Sequence, residues 1–277
     1  MASSAWITYN GLTLKPENGY TITQFEENTP IRISEDLLTG QHGGVVWKTK
    51  YAMKTIAIEG EILGGDSSTY FLLKNALINA FSALAEEDTL DVTVWNGSSK
   101  SIDAWVITQP IIVEKSGYTT TNQYRIELRA GSPYWSGSSA ITGSCGLAIS
   151  GGTPVSSPVG SPVLIVGGNR ITLNNTGDVE NYATFEIRNA CTNPSVLNIT
   201  TGATFSYTGT LVDGDVLQVG RSSAGEYCLL NGSNVYSYFT GTVFPIIRGV
   251  NVLAFSASSY SATATLTTSL YEKFLSI

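Results

Sequence analysis

Residues 54–84 read KTIAIEGEILGGDSSTYFLLKNALINAFSAL, and this stretch contains the two hydrophobic patterns from which the fold can be inferred. In its first part, apolar residues or glycine alternate with polar or small residues. A period of two is typical of a β-strand with one face buried and the other solvated or paired. We therefore predict a strand over residues 55–63, whose buried face carries Ile56, Ile58, Gly60 and Ile62.

The second part of the stretch has a helical pattern. Residues 66–69, Asp-Ser-Ser-Thr, offer carboxylate and hydroxyl groups that can cap a helix N-terminus. We predict one helix, from about Ser67 to Leu84, that packs on the first sheet. Its apolar stripe, at near-helical spacing, consists of Phe71, Leu73, Leu77, Phe81 and Leu84.

Outside this helix, the chain is typical of β-structure with many turns. Charged residues make up 13% of the chain, which contains 28 Gly and 14 Tyr, and Gly and aromatic residues suit turns and strands respectively. Residues 6–9 and 12–14 flank Asn10-Gly11, the pattern of a hairpin with a type I′ turn. A longer hairpin is predicted to extend to a polar tip at residues 39–44, and separate strands are predicted at 101–108 and 111–115.

The length and composition predict two domains. A chain of 277 residues exceeds a typical single domain of roughly 100–200 residues. Residues 137–162 are rich in Gly, Ser and Pro, a composition that buries little apolar surface. We predict a connection there, between a β-sandwich domain with a helix and an extended hairpin at 1–136 and a second β-sandwich at 163–277. The turns predicted within the second sandwich are Asp213-Gly214, Asn231-Gly232 and Arg248-Gly249.

Charge and cysteine content exclude several classes of function. The net charge of −7 makes nucleic-acid binding through a broad basic surface improbable. The first residues lack the pattern of a signal peptide, and no stretch approaches the roughly 20 apolar residues of a membrane span, so we expect a protein that is kept in the cytoplasm. Cys145, Cys191 and Cys228 are far apart and odd in number, which favours buried thiols over disulfides or a metal site.

No motif for catalysis or cofactor binding is present. His42 is the single histidine, which rules out a site with two histidine ligands, and neither a GxSxG nor a GxxxxGK[ST] motif occurs. Two-carboxylate chemistry needs a pair on opposite sides of a sugar bond. Glu59 and Glu61 share a strand face, and Asp213 and Asp215 belong to a turn, so structural roles are favoured. We predict no catalytic residue, no cofactor and no metal ligand. The candidate acids are Glu59 with Glu61, Glu26 with Glu27, the run Glu86-Glu87-Asp88, and Asp213 with Asp215.

Aromatic residues offer another possible binding chemistry, because sugars stack on exposed rings. The candidates are Tyr236, Tyr238 and Phe239 in the second half and the pair Tyr134-Trp135. Since aromatic side chains dominate β-sandwich cores, we expect the cluster at 236–239 to pack in the core.

The order of these features resembles the distal tail protein (Dit) family of siphophages, over nearly the whole chain. The resemblance in the first half lies in the opening hairpin, the tip at 39–44, the strand at 54–62, the helix, and Ser132-Pro133-Tyr134-Trp135 at the end of the domain. In the second half the features that resemble the family's galectin-like sandwich are residues 174–177, 213–217, 231–232 and 249–253.

The resemblance implies a structural protein of the virion tail tip and no enzymatic activity. It implies a homohexameric ring whose partners are the tail tube protein and the tail-associated baseplate hub protein. DNA would pass through its lumen without specific binding, and no membrane would be involved. Assembly would take place in the host cytoplasm. We expect the ring contacts to come from strands and hairpins of the first domain, because a closed ring leaves no free sheet edge.

Three other functions remain open from the sequence. A carbohydrate-binding lectin or adhesin module of a phage tail would use the second sandwich. A depolymerase would need a carboxylate pair. A tail-tube subunit would share the design of the first domain, although the large second domain argues against it.

Overall fold

The computed structural model describes residues 5–37, 44–84, 86–94, 96–114, 121–147 and 168–277. Of the predicted hairpin tip at 39–44, residues 39–43, with His42 among them, lie outside the described residues. So does most of the predicted connection, from residue 148 onward. The fold is mainly β with one α-helix among the described residues, as predicted.

The chain forms two compact units. Unit 1 comprises Met1–Ser138 together with Phe274–Ile277, and unit 2 comprises Ser139–Lys273. The sequence division at 136 and 163 did not anticipate the return of the last four residues to unit 1. The physical reason is local, because Phe274 and Ile277 pack against the apolar core of that unit.

The elements of unit 1 are nine strands, the helix and the start of a tenth strand. Their bounds are β1 Trp6–Tyr9, β2 Leu12–Leu14, β3 Tyr20–Asn28, β4 Ile31–Leu37, β5 Gly44–Tyr51, β6 Lys54–Leu63, α1 Ser67–Ala80, β7 Asp88–Thr93, β8 Ser99–Val113, β9 Thr121–Ala130 and β10 Trp135–Gly146. Strand β10 runs on into unit 2, so residues 137–146, predicted as connection, are a strand. The strands predicted at 101–108 and 111–115 form the single strand β8, with register shifts against β9 around Thr108.

Unit 1 has one large sheet and one separate two-stranded ribbon. The sheet has the order β2-β1-β7-β8-β9-β6-β3, and the ribbon is the antiparallel pair β4-β5. Strand β8 is long enough to serve both halves of the sheet: Ser99–Ala104 pair with β7, and Ala104–Val113 pair with β9. The predicted turn at Asn10-Gly11 is confirmed, since both residues have positive φ, as a type I′ turn requires.

Helix α1 covers the apolar side of this sheet. Asp66 caps its N-terminus by accepting a hydrogen bond from the backbone N–H of Thr69 at 2.9 Å. On the buried side, the ring of Phe81, just beyond the helix, stacks on Tyr9 with centroids 4.9 Å apart. The Tyr20 hydroxyl donates to the Leu73 carbonyl at 2.8 Å, which ties α1 to β3.

Unit 2 is built from short strands. Their bounds are β11 Arg170–Asn175, β12 Asn181–Tyr182, β13 Thr184–Arg188, β14 Cys191–Thr192, β15 Ser195–Asn198, β16 Thr204–Tyr207, β17 Thr210–Leu211, β18 Val216–Ser222, β19 Gly225–Leu230, β20 Ser233–Asn234, β21 Phe239–Gly241, β22 Pro245–Ile246, β23 Gly249–Ser256, β24 Ser259–Tyr260 and β25 Thr265–Phe274. The two largest groups have the orders β25-β13-β18-β19-β20 and β11-β23-β15-β16-β21.

The two sheets of unit 2 meet in one core, so the unit is a β-sandwich as predicted. Phe185 of β13 and Phe205 of β16 come from different sheets, and their ring centroids lie 5.0 Å apart. Cys145, Cys191 and Cys228 are buried in this core as free thiols, and burial raises the pKa of each to about 11. The prediction of buried thiols is confirmed.

Candidate assembly surfaces

The carboxylates considered for catalysis on strand β6 are held in an ion-pair network. Arg125 of β9 donates to Glu59 at 2.6 Å and to Glu127 at 2.9 Å. Glu59 and Glu61 lie on the same, outward face of β6, as the alternation predicts. The Glu59 carboxylate is engaged by the Arg125 guanidinium, which gives it a structural partner across the two strands.

Asp213 and Asp215 close a turn in unit 2. The backbone N–H of Ala190 donates to Asp213, and Asp215 accepts from the N–H of Val212 at 2.9 Å and from the Asn231 side-chain amide at 2.8 Å. The hydrogen bond from Val212 and that from Asn231 lower the pKa of Asp215. A general acid at neutral pH needs a raised pKa, so the lowered pKa of Asp215 makes this carboxyl unsuited to that role.

Glu27 points inward and pairs with a buried lysine. Lys54 is 0% exposed, and its ammonium donates to Glu27 at 2.6 Å and to the Leu275 carbonyl at 2.6 Å. The indole N–H of Trp135 also donates to Glu27, at 2.7 Å. The group therefore joins β3, β6, β10 and the returning residues 274–277 within unit 1. Because a buried charge requires such partners, we interpret Glu27 as the structural counter-ion of Lys54.

The acids after the helix lie at and just before the start of β7. Glu86 and Glu87 are exposed, and Asp88 is partly buried. The structure adds Asp91 to this neighbourhood, where burial first, then Asp88 and Asp103, raise its pKa. Among the described residues, no group of three or more His, Cys, Asp or Glu side chains could hold a metal ion.

The aromatic cluster of unit 2 differs from the expectation. Tyr236 and Tyr238 are 42% and 55% exposed, so the prediction that they pack in the core is wrong for both, while Phe239 does pack against the core. The reason is a short 3-10 helix at 236–238, which turns both tyrosines outward. Trp135 of the other candidate pair is fully buried.

Unit 1 also has an open cleft between the β1–β2 turn and α1. Its lining consists of Asn10, Gly11, Leu12, Ala76, Asn79 and Ala80. None of these side chains titrates, so the cleft has no acid–base chemistry. In the described part of the chain, no helix is long and apolar enough to cross a membrane.

Two exposed apolar surfaces of unit 1 were not found from the sequence. The first, which we call the β8 strip, consists of Trp105, Ile107, Ile111 and Val113, which all point outward and are 43–53% exposed. The second is the β4–β5 ribbon, where Ile31 and Ile33 are 58% and 57% exposed. The sequence did contain an indication of the strip. Residues 104–107 are apolar at every position, whereas a strand with one solvated face has apolar residues at alternate positions.

The edges of the unit 1 sheet complete this surface. Among the described strands, β3 pairs only with β6, so its other edge is open. Residues 105–113 of β8 pair only with β9 in that same part of the chain. Open edges and exposed apolar side chains are features of surfaces that associate with other chains.

No protein-family model matches the chain, and no curated protein matches it by sequence. Among solved structures, the SPP1 Dit protein is similar over 98% of this chain and 100% of its own, with a TM-score of 0.70 and 10% identity. The chain has the fold of a Dit protein. A chain from the phage p2 baseplate in its activated conformation with Sr gives a TM-score of 0.50 and 13% identity, over 96% of this chain and 97% of that one.

The Dit fold confirms the resemblance inferred from the order of turns and strands. The similarity includes both units and extends over nearly all of the chain, although only about one residue in ten is identical. The galectin-like description of unit 2 stays a prediction.

Proposed function

We propose that this chain is a structural subunit of a phage tail tip, of which six copies form a ring between the tail tube and the baseplate hub. The observation that carries the proposal is the full-length Dit fold, with a TM-score of 0.70 to a protein described as a paradigm of the hub adsorption apparatus in phages that infect Gram-positive bacteria. The number six comes from the family resemblance. The protein would be located in the virion tail and would assemble in the host cytoplasm.

The open edges of unit 1 support ring formation. A ring needs two different patches on each subunit, so that one patch of each copy meets the other patch of the next. The open edge of β3 and the open part of β8 lie at opposite ends of the strand order β3-β6-β9-β8. Pairing of such edges around a ring would leave none exposed.

The outward face of strands β3, β6 and β9 fits a channel for DNA. It carries Glu26, Glu59, Glu61 and Glu127 against two arginines, Arg125 and Arg129. The excess of carboxylates would repel DNA phosphates, so DNA could pass without binding. The tail tube protein and the baseplate hub protein are the proposed partners at the two sides of the ring.

A structural role also agrees with the state of the carboxylates. Glu27, Glu59 and Asp215 each bind a cation or a turn amide. We therefore propose that the protein has no hydrolase activity. Incubation with host cell wall should release no reducing ends; release that Glu59→Ala abolishes would contradict this.

A lectin function is the second candidate, because Tyr236 and Tyr238 expose their rings on unit 2. The Tyr236 hydroxyl donates to Glu226 at 3.3 Å, which places a carboxylate acceptor beside the ring. Exposed rings beside hydrogen-bonding groups suit sugars.

Electron microscopy of the purified chain separates the two functions. We expect six-fold rings with a central hole, and no binding on a glycan array. A monomer that binds glycans, and loses this binding in Tyr236→Ala, would support the lectin and contradict the ring.

A further inference from the structure

The two faces of the β4–β5 ribbon have opposite chemistry. In the register of the pair, Arg32 lies opposite Lys50 and Ser34 opposite Lys48, so these four side chains share one face. The other face carries Ile31, Ile33, Thr49 and Tyr51. All eight of these residues are exposed. The base of the ribbon is therefore cationic on one face and apolar on the other, and both faces are in solvent.

Contacts with the described side chains of its own chain stabilise the base of this ribbon weakly. Like charges directly opposite one another, such as Arg32 and Lys50, destabilise a strand pair. No ion pair links Arg32, Lys48 or Lys50 to a described carboxylate. On the apolar face the ring contact is between Tyr51 and Tyr134, with centroids 6.1 Å apart. A two-stranded ribbon alone is marginal in water, so a partner that offers apolar surface and negative charge would stabilise this one.

The β8 strip offers both properties. Its side chains Trp105, Ile107 and Ile111 are each exposed. Trp105 and Ile111 lie opposite Arg129 and Arg125 of β9, and Ile107 lies at the register shift between them. The next outward residue of β8 is Asp103, whose charge acts on Asp91 together with that of Asp88. A neighbouring cation would relieve the repulsion among these carboxylates.

We propose that the ribbon of one copy packs on the β8 strip of the next copy in the ring. Ile31, Ile33 and Tyr51 cover the strip, and the long side chains of Arg32 and Lys50 reach past the ribbon edge toward the Asp103 group. The proposal rests on the proposed ring and names the contact that holds it. It gives the two different patches, ribbon and strip, that a head-to-tail contact requires.

A second copy fits the ribbon better than DNA does. The apolar face needs an apolar cover, which phosphates do not provide, and three cations are few for a duplex. A second copy has a net charge of −7 and displays the apolar strip. Charge complementarity and apolar area thus favour the same partner.

Charge reversal tests the electrostatic part on the full chain. In Arg32→Glu/Lys50→Glu we expect loss of the hexamer mass in light scattering, at a concentration where the unaltered chain is fully assembled. Arg170→Glu/Arg248→Glu makes the same change in charge on exposed residues of unit 2 and should keep the ring. Unchanged melting of unit 1 and of unit 2 in all variants shows that both units have folded.

Cross-linking tests the contact itself without a change of charge. Ile33→Cys/Ile107→Cys, oxidised, should give covalent oligomers up to six chains on a non-reducing gel, since the three natural thiols are buried. Ile33→Cys/Leu72→Cys is the control, because Leu72 is 71% exposed on α1, away from the strip. Rings that survive charge reversal and give no cross-linked ladder would overturn the ribbon contact and leave the ring intact.

Two further outcomes are distinct. A monomeric unaltered chain would contradict the proposed ring, and the ribbon contact with it. Binding of a short DNA duplex that charge reversal abolishes, in rings of unchanged mass, would overturn the second copy as occupant and assign the cationic face to nucleic acid.

Discussion

At the scale of single residues, the Glu27 carboxylate connects three separate segments of unit 1. It accepts from Lys54, from Trp135 and from the backbone N–H of Ile277. In Glu27→Gln, a buried ammonium loses its counter-charge, and loss of one partner of a buried pair costs about 3 kcal/mol. Urea unfolding of the full chain measures this change in the free energy of unfolding. Glu27→Gln/Lys54→Met should recover part of it; a double variant as unstable as the sum of the singles would contradict the pairing.

Gly60 is a residue whose role only the structure reveals. A Cβ there would lie 1.8 Å from the backbone carbonyl oxygen of Thr21 on β3 and 2.6 Å from the Tyr124 hydroxyl. We expect Gly60→Ala to force β3 away from β6 and to lower the stability of unit 1 by about 2 kcal/mol, as overpacking does. Gly131→Ala is the matched control, because its Cβ would make an ordinary contact at 3.5 Å from Trp105. Equal melting temperatures of the two variants would contradict the close approach.

The three thiols predict how unit 2 responds to alkaline pH. Burial raises their pKa from 9.0 to about 11. Because the unfolded chain ionises first, their contribution to stability is complete below pH 9 and is lost as pH rises toward 11. We expect the free energy of unfolding of unit 2 to fall over this window. A thiol reagent at pH 8 should label none of the three in the folded chain and all three in urea; fast labelling of the folded chain would contradict the burial.

At the scale of elements, the helix shows what periodicity can and cannot establish. Its existence, its start and the burial of Leu77 and Phe81 followed from the sequence. The prediction that Phe71 and Leu84 belong to the buried stripe was wrong, since they are 56% and 94% exposed. Tyr70, which was not assigned to the stripe, is buried. An amphipathic Tyr fits either environment, and α1 ends at Ala80, before Leu84 could join the stripe. The residue types and their helical spacing therefore predicted the helix. The tertiary contacts decided which of its side chains are buried.

The same helix gives a prediction with a built-in control. Leu77 is fully buried and Leu72 is exposed, on one helix and five residues apart. Leu77→Asp buries a charge among apolar side chains, and we expect a loss of several kcal/mol, on the order of 4, together with failure to assemble. Leu72→Asp should leave the melting temperature and the particle mass unchanged. Soluble, fully assembled Leu77→Asp protein would contradict the assigned face.

At the scale of the whole molecule, the turn dipeptides were more informative about the fold than the candidate site residues were. Asn10-Gly11 and Asn231-Gly232 both take the positive φ values that their hairpins need, and their order along the chain led to the Dit resemblance. The assembly surfaces were missed because exposure of Trp105 or Ile33 depends on which neighbouring strands are absent. An edge is a property of topology, so no local pattern in one chain identifies it.

The last prediction concerns the returning residues 274–277, which join unit 1 after the whole of unit 2. Leu275 accepts from buried Lys54, and Lys100 donates to the Ser276 carbonyl and lies 4.1 Å from the Phe274 ring centroid. A chain ending at Ser138 lacks these acceptors and this apolar cover, so we expect unit 1 to lose about 3 kcal/mol, from burial of two apolar side chains and the buried ammonium.

The same fragment followed by a flexible Gly-Ser linker and residues 274–277 should regain this stability and form rings of the same subunit number as the full chain. Residues 139–273 alone should stay monomeric, because the edges, the ribbon and the strip all belong to unit 1. Urea unfolding and light scattering on the three fragments check both statements. If the fragment without residues 274–277 matched the linked one in stability and in mass, the returning segment would have no part in ring formation. If residues 139–273 formed the oligomer instead, ring contacts would belong to unit 2, and the ribbon and strip would need another partner.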